Sequence, residues 1–242
     1  NLKHSKSVLL GTSALVCLAL AAPVMADDFV ITSSDGSTNG VGTTNGATAA
    51  AIPGNAIDGG HTVSLGIALT TTGANEGIAT GGTNKVTVSE AGSITTGTVN
   101  NAYGIYNFGS TNTTTVSGSI TTGGNYAYGI YNRGSTNTTT VSGSIATGGR
   151  SADGIFNDGN DNTTTVSGSI KTGGYGIFNN GNKNTTTISG SIETTGLGGY
   201  GIENDGAYNT TTVSGDIVTR EAYGHGIFNE GASNETTLSG SI

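Results

Sequence analysis

AYGIYNRGSTNTTTVSGSI, residues 127–145, follows AYGIYNFGSTNTTTVSGSI at 102–120 and precedes ADGIFNDGNDNTTTVSGSI at 152–170. The words recur beyond these three. Gly-Ile stands at 104, 129, 154, 176, 201 and 226, at intervals of 25, 25, 22, 25 and 25 residues. Each copy closes on an Ile two places after a Ser-Gly pair: Ile120, Ile145, Ile170, Ile192, Ile217 and Ile242. A degenerate copy, EGIATGGTNKVTVSEAGSI, occupies residues 76–94. Self-similarity at such a period marks a repeat architecture, so the fold is read from one unit.

With 43 Gly, no Trp and 10% charged residues, the composition alone resembles a disordered chain. Disorder has no use for apolar residues at fixed spacing. In the copy starting near residue 103, YGIYN, TTTVSG and SITTG each alternate as a short strand, and none has a helical period. Alternation turns Ile105, Thr114, Val116 and Ile120 to one side, the interior. Gly and Asn punctuate the segments where the chain must turn sharply. The expected fold is all-β: a parallel β-helix (β-solenoid) of about seven coils of 22–25 residues. One coil buries too little apolar surface to be stable, which explains the repetition.

Stacking makes columns. Asn107, Asn132, Asn157, Asn179, Asn204 and Asn229 form one, and Asn112, Asn137, Asn162, Asn184, Asn209 and Asn234 another. Both read as corner ladders that hydrogen-bond along the stack. The ladder accounts for the Asn-Thr-Thr words better than glycosylation does. Opposite charges fall one coil apart at Arg133 and Asp158, Asp161 and Lys183, and Lys171 and Glu193. The residue after each Gly-Ile is Tyr106, Tyr131, Phe156, Phe178, Glu203 and Phe228. Glu203 suggests that this column faces water. Its rings then form either an adhesive stripe or a stack that only stabilises the sheet. Thr113 with Thr115 recurs as an outward pair through Thr210 with Thr212, and Glu235 breaks it in the last copy.

Residues 1–26 read as a secretory signal peptide: Lys3 and Lys6, an apolar run from Val8 to Ala22, then Pro23 and Val24-Met25-Ala26. The run is short for a membrane span, which needs about 20 apolar residues. Its removal takes away Cys17, the single Cys, so the exported chain has no disulfides. It also leaves six basic against sixteen acidic residues, a net charge of −10. That balance argues against nucleic acid and anionic lipid as partners. Residues 27–75 share the composition but not the register and are expected to form an irregular first coil or cap. The repeats fill 76–242, and a chain stopping mid-coil at Ile242 without a polar cap reads as a fragment.

A signal peptide, a Cys-free Gly/Ser/Thr/Asn-rich solenoid, and GI[YF]NxG words followed by TTTVSGSI resemble the passenger region of bacterial autotransporters (type V secretion), over residues 27–242. The resemblance implies export through a C-terminal outer-membrane β-barrel, which would follow this chain and supply its only membrane contact. It implies display at the cell surface or release. It also implies a role in adhesion to a host-cell or surface receptor or glycan, or in self-association between passengers.

The residues themselves offer no catalytic constellation. His225 is the only His in the six full copies, in a column with Tyr103, Tyr128, Asp153, Tyr175 and Tyr200, and a surface or corner role is expected for it. No Ser sits in a nucleophile elbow, and no His or Cys cluster suggests a transition metal. Asp205 and Glu230 stack in adjacent coils and read as a solvated pair rather than a Ca²⁺ site. No enzyme activity and no cofactor are expected. Two alternatives stay open. The paired Thr columns resemble those of ice-binding β-solenoids, and other parallel β-helices act on polysaccharides.

Overall fold

A computed structural model describes residues 28–34, 40–44, 47–48, 60–71 and 76–242. Every helix or strand in it is a strand, and three parallel sheets form a β-solenoid. One coil shows the plan. Ile130–Arg133 lies in what we term the aromatic sheet, Thr138–Val141 in the threonine sheet and Ser144–Thr147 in the serine sheet. A loop then leads to the next coil. The aromatic and serine sheets have seven strands each, and the threonine sheet has eleven.

Register runs residue to residue along the parallel strands of each sheet. Ile130 pairs between Ile105 and Ile155, Val141 between Val116 and Val166, and Ile145 between Ile120 and Ile170. The interior is therefore a set of like-on-like columns. Ile105, Val116 and Ile120 and their equivalents in the next four coils are buried at 0–1% exposure. Thr114 and Thr122 also point inward and are buried, as does Asn107. This core is half polar, and the polar half is tolerable only because each polar column satisfies itself by hydrogen bonding.

The solenoid extends further toward the N-terminus than the repeat words do. Thr62–Leu65 pairs in parallel with Lys85–Val88, and Ala68–Thr71 with Ser93–Thr96. Leu65 and Leu69 are buried in the same columns as Val116 and Ile120. Residues 60–71 thus supply one threonine-sheet and one serine-sheet strand in register with the repeats. Asp28–Ser34 adds one more parallel strand, Gly40–Thr44 pairs antiparallel with it, and Ala47–Thr48 pairs antiparallel with Gly40–Thr44. The proposed signal peptide lies outside the described residues.

Two backbone features explain the word spellings. A Cβ on Gly129 would sit 2.3 Å from Ile145 Cγ2 and 2.6 Å from the Gly154 carbonyl oxygen. The Gly of each Gly-Ile is thus the gap that lets the serine-sheet Ile fill the corner. The residue before each corner Asn is left-handed: Thr111, Thr136, Asp161, Lys183, Tyr208 and Ser233 have φ of 57–66°. Non-Gly residues, some β-branched, hold this conformation at a local cost.

Candidate functional site

The aromatic sheet turns its rings outward, in two columns. In the first, Tyr106, Tyr131, Phe156 and Phe178 stack with centroids 5.1, 5.0 and 4.9 Å apart and planes within 17°. In the second, Tyr103 stacks on Tyr128 at 5.3 Å and 10°, and Tyr175 on Tyr200 at 5.1 Å and 13°. The columns meet edge to face, Tyr128 against Phe156 at 5.2 Å and Tyr175 against Phe178 at 5.5 Å. His225 is exposed and packs on Phe228 at the far end. The first-column rings are half-buried, so edges rather than faces meet solvent. Coil spacing near 4.8 Å suits such offset stacks, each adding about 0.5–1.5 kcal/mol beyond its buried area.

Glu203 does not itself mark the column as facing water: the rings of the column are partly exposed, but Glu203 is 8% exposed. It occupies the ring position between Phe178 and Phe228. Burial pushes its carboxyl up to about 7, the Asp205 and Glu230 charges add to this, and the Tyr175 hydroxyl opposes it. Its Oε2 is buried without a partner.

Asp153 interrupts the second column in the same way, between Tyr128 and Tyr175. It is 5% exposed, and its Oδ1 accepts a hydrogen bond from the Tyr175 backbone N–H at 2.8 Å. Burial pushes this carboxyl up to about 8, opposed by that N–H and reinforced by Glu203. Beside it the chain is short. The loop before Tyr128 is Gly-Gly-Asn-Tyr-Ala, and the loop before Asp153 is Gly-Gly-Arg-Ser-Ala, but only Gly173-Gly174 precedes Tyr175. This three-residue shortfall is the 22-residue interval of the repeat. Gly174 fits because a Cβ there would lie 2.4 Å from Asp153 Oδ1. The loops on either side overhang the short one and leave a notch of about 650 Å³, lined in part by Tyr128, Arg150, Asp153, Tyr175, Phe178 and Leu197.

The first Asn ladder runs inside the fold. Asn107 Nδ2 donates to Asn132 Oδ1 at 2.7 Å, and the bond repeats through Asn157, Asn179, Asn204 and Asn229 at 2.7–2.8 Å. Each Nδ2 also donates to a threonine-sheet hydroxyl, as Asn157 does to Thr164 at 3.0 Å. Thr80 Oγ1 starts the ladder by donating to Asn107 Oδ1. From Asn107 through Asn204 these Asn are buried struts between two sheets, not corner residues, and only Asn229 at the end is exposed.

The second ladder does sit at the corner. There Asn Oδ1 accepts from the backbone N–H of the preceding coil's Asn, from Asn112 to Asn137 and on to Asn234 at 2.7–2.8 Å. Asn112, Asn137, Asn162, Asn184 and Asn209 are buried.

The charge pairs divide. Lys171 and Glu193 form an ion pair at 3.2 Å, which Arg220 joins at 2.5 Å. Arg133 and Asp158 are register partners, yet Arg133 donates to the Tyr106 hydroxyl and the Tyr131 hydroxyl donates to Asp158. Among the described residues Asp161 and Lys183 form no ion pair. Both sit exposed at left-handed corners.

The outward Thr columns are in straight register from Thr113 and Thr115 to Thr210 and Thr212. Among the described residues no group of three or more His, Cys, Asp or Glu is placed to hold a metal. None of their helices is long and apolar enough to cross a membrane.

Fold and surface together define the class: a repetitive parallel β-solenoid that carries a double aromatic column on one face and threonine columns on another. No family model, curated protein or solved structure matches the chain.

Proposed function

We propose that the chain is a displayed or secreted passenger of autotransporter type, with a structural and adhesive role and no catalytic one. The observation that supports this best is the aromatic face. Ring edges run along four successive coils from Tyr106 to Phe178, with hydroxyls on Tyr106 and Tyr131, a repeated amphipathic surface that suits a receptor, a glycan or a second passenger. Repetition also suits a spacer, since each added coil lengthens the rod by about 4.8 Å.

The test is attachment. Cells or beads displaying the chain are compared with a variant carrying Tyr106→Ser and Tyr131→Ser, with circular dichroism as the check on folding. Loss of attachment in a folded variant is expected. Attachment equal to that of the parent sinks the adhesive reading.

A second reading draws on the threonine sheet. Thr113, Thr138, Thr163, Thr185 and Thr210 form an exposed, uncharged column beside a parallel one two residues on. Such a flat, regular array suits ordered water at an ice surface. Thermal hysteresis in a solution of the purified chain tests it, and freezing indistinguishable from a buffer control removes it.

A further inference from the structure

The repeat breaks once in length, and at the same place its outer column of rings gives way to Asp153. The second column should carry a ring at every rung. Asp153 withholds it, and the neighbouring loop is three residues short. Tyr128 has one face covered by Tyr103, and Tyr175 has one face covered by Tyr200. Both rings line the notch, on either side of the rung that Asp153 holds in place of a ring. Two coil spacings separate them, about 10 Å, which is the room that one inserted ring needs. At the floor lies the buried carboxyl of Asp153, with Tyr175 N–H as its hydrogen-bond partner. The volume, about 650 Å³, is in the range of small-ligand sites.

We infer that this notch is a saccharide site, which takes one pyranose ring between the faces of Tyr128 and Tyr175 with its hydroxyls on Asp153. The C–H faces of a sugar ring stack on aromatic faces, and its hydroxyls need groups that both donate and accept. A carboxyl that keeps its proton near neutral pH, as burial makes Asp153 do, offers both. Arg150 at the rim disfavours a cationic ligand and adds donors for further hydroxyls. This inference rests on the adhesive reading and gives it a ligand class.

The experiment is saturation-transfer NMR on the full chain with a panel of methyl pyranosides (gluco, galacto, manno, fuco and the two N-acetylhexosaminides). The expected result is transfer from at least one of them with a Kd on the order of millimolar. Asp153→Tyr restores the missing rung and should weaken binding at least tenfold while β structure persists. Tyr175→Ala, which removes one wall, should do the same and serves if the first variant misfolds. Thr113→Ala, exposed on the threonine sheet and away from the notch, should bind as the parent does. Transfer from no pyranoside, or transfer unchanged in both notch variants, overturns the site. Transfer from tetramethylammonium but from no sugar overturns the ligand class. Attachment to a surface that persists in Asp153→Tyr would reject the notch and leave the adhesive face standing. No attachment of the parent at all would reject the adhesive reading itself.

Discussion

Asn157→Ala should cost far more stability than Asn229→Ala, although both change the same ladder. Asn157 is 1% exposed. Its Nδ2 donates to Thr164 Oγ1 at 3.0 Å and to Asn179 Oδ1 at 2.8 Å, and its Oδ1 accepts from Asn132 Nδ2 at 2.8 Å. Truncation leaves Asn179 Oδ1 buried without a donor, while Asn132 Nδ2 keeps only its bond to Thr139. A buried polar group that loses its partner costs about 1–3 kcal/mol, so two such losses and a small void give roughly 3–5 kcal/mol. Asn229 ends the ladder and is exposed. Its bonds, from Asn204 and to Thr236, are replaceable by water, and the cost should stay below about 1 kcal/mol. Urea unfolding followed by circular dichroism measures both. Amide exchange in the coils around residue 157 shows whether the loss is local, as nearest-neighbour stacking predicts. Equal costs, or an Asn157→Ala change under about 0.5 kcal/mol, would refute the claim that the ladder is a buried, self-satisfying strut.

Three further outcomes follow from the same structure. Ile155→Asp places an unpaired carboxyl at 0% exposure between Ile130 and Ile177. It should melt at least the two flanking coils, seen as new protease cuts near residues 130 and 177, and unchanged resistance would count against stacking. Stability should fall as pH rises from about 4 through 8. The folded state keeps protons on Asp153, raised to about 8, and on Glu203, raised to about 7, that the unfolded chain has released. Asp153→Asn should flatten that slope, and melts at pH 5 and pH 8.5 check it. Thr136→Gly removes a β-branched side chain held at φ 59° on an exposed corner and should raise stability by up to about 1 kcal/mol, measured by the same urea titration.

Much of this was legible in the sequence because stacking turns spelling into geometry. The Gly-Ile and Ser-Gly-x-Ile words carried the register, and alternation placed Ile105, Thr114, Val116 and Ile120 inside. Three features were not legible, each for a physical reason. Asn107 read as a corner residue because a lone buried amide is costly, but a column of amides satisfies itself. Glu203 read as a sign of water because a lone carboxylate avoids burial, but a raised pKa lets it stay neutral under flanking rings. Thr62–Leu65 lost its words while keeping its inward Val63 and Leu65, so only strand pairing showed the coil. The 22-residue interval was visible as a number. Its meaning, a notch floored by Asp153, needed the two overhanging loops in place.

The central claim is that residues far apart in sequence lie one coil apart in space. Spin labels at Thr113 and Thr210, in a Cys17→Ser background, test it directly. Both positions are exposed on the threonine sheet and lie four pairings apart. Their Cα atoms should be separated by about 19 Å, and those of Thr113 and Thr163 by about 10 Å. Narrow distance distributions around those values, after allowance for the label arms, are the predicted result. A broad distribution centred beyond about 30 Å for the first pair would contradict the solenoid.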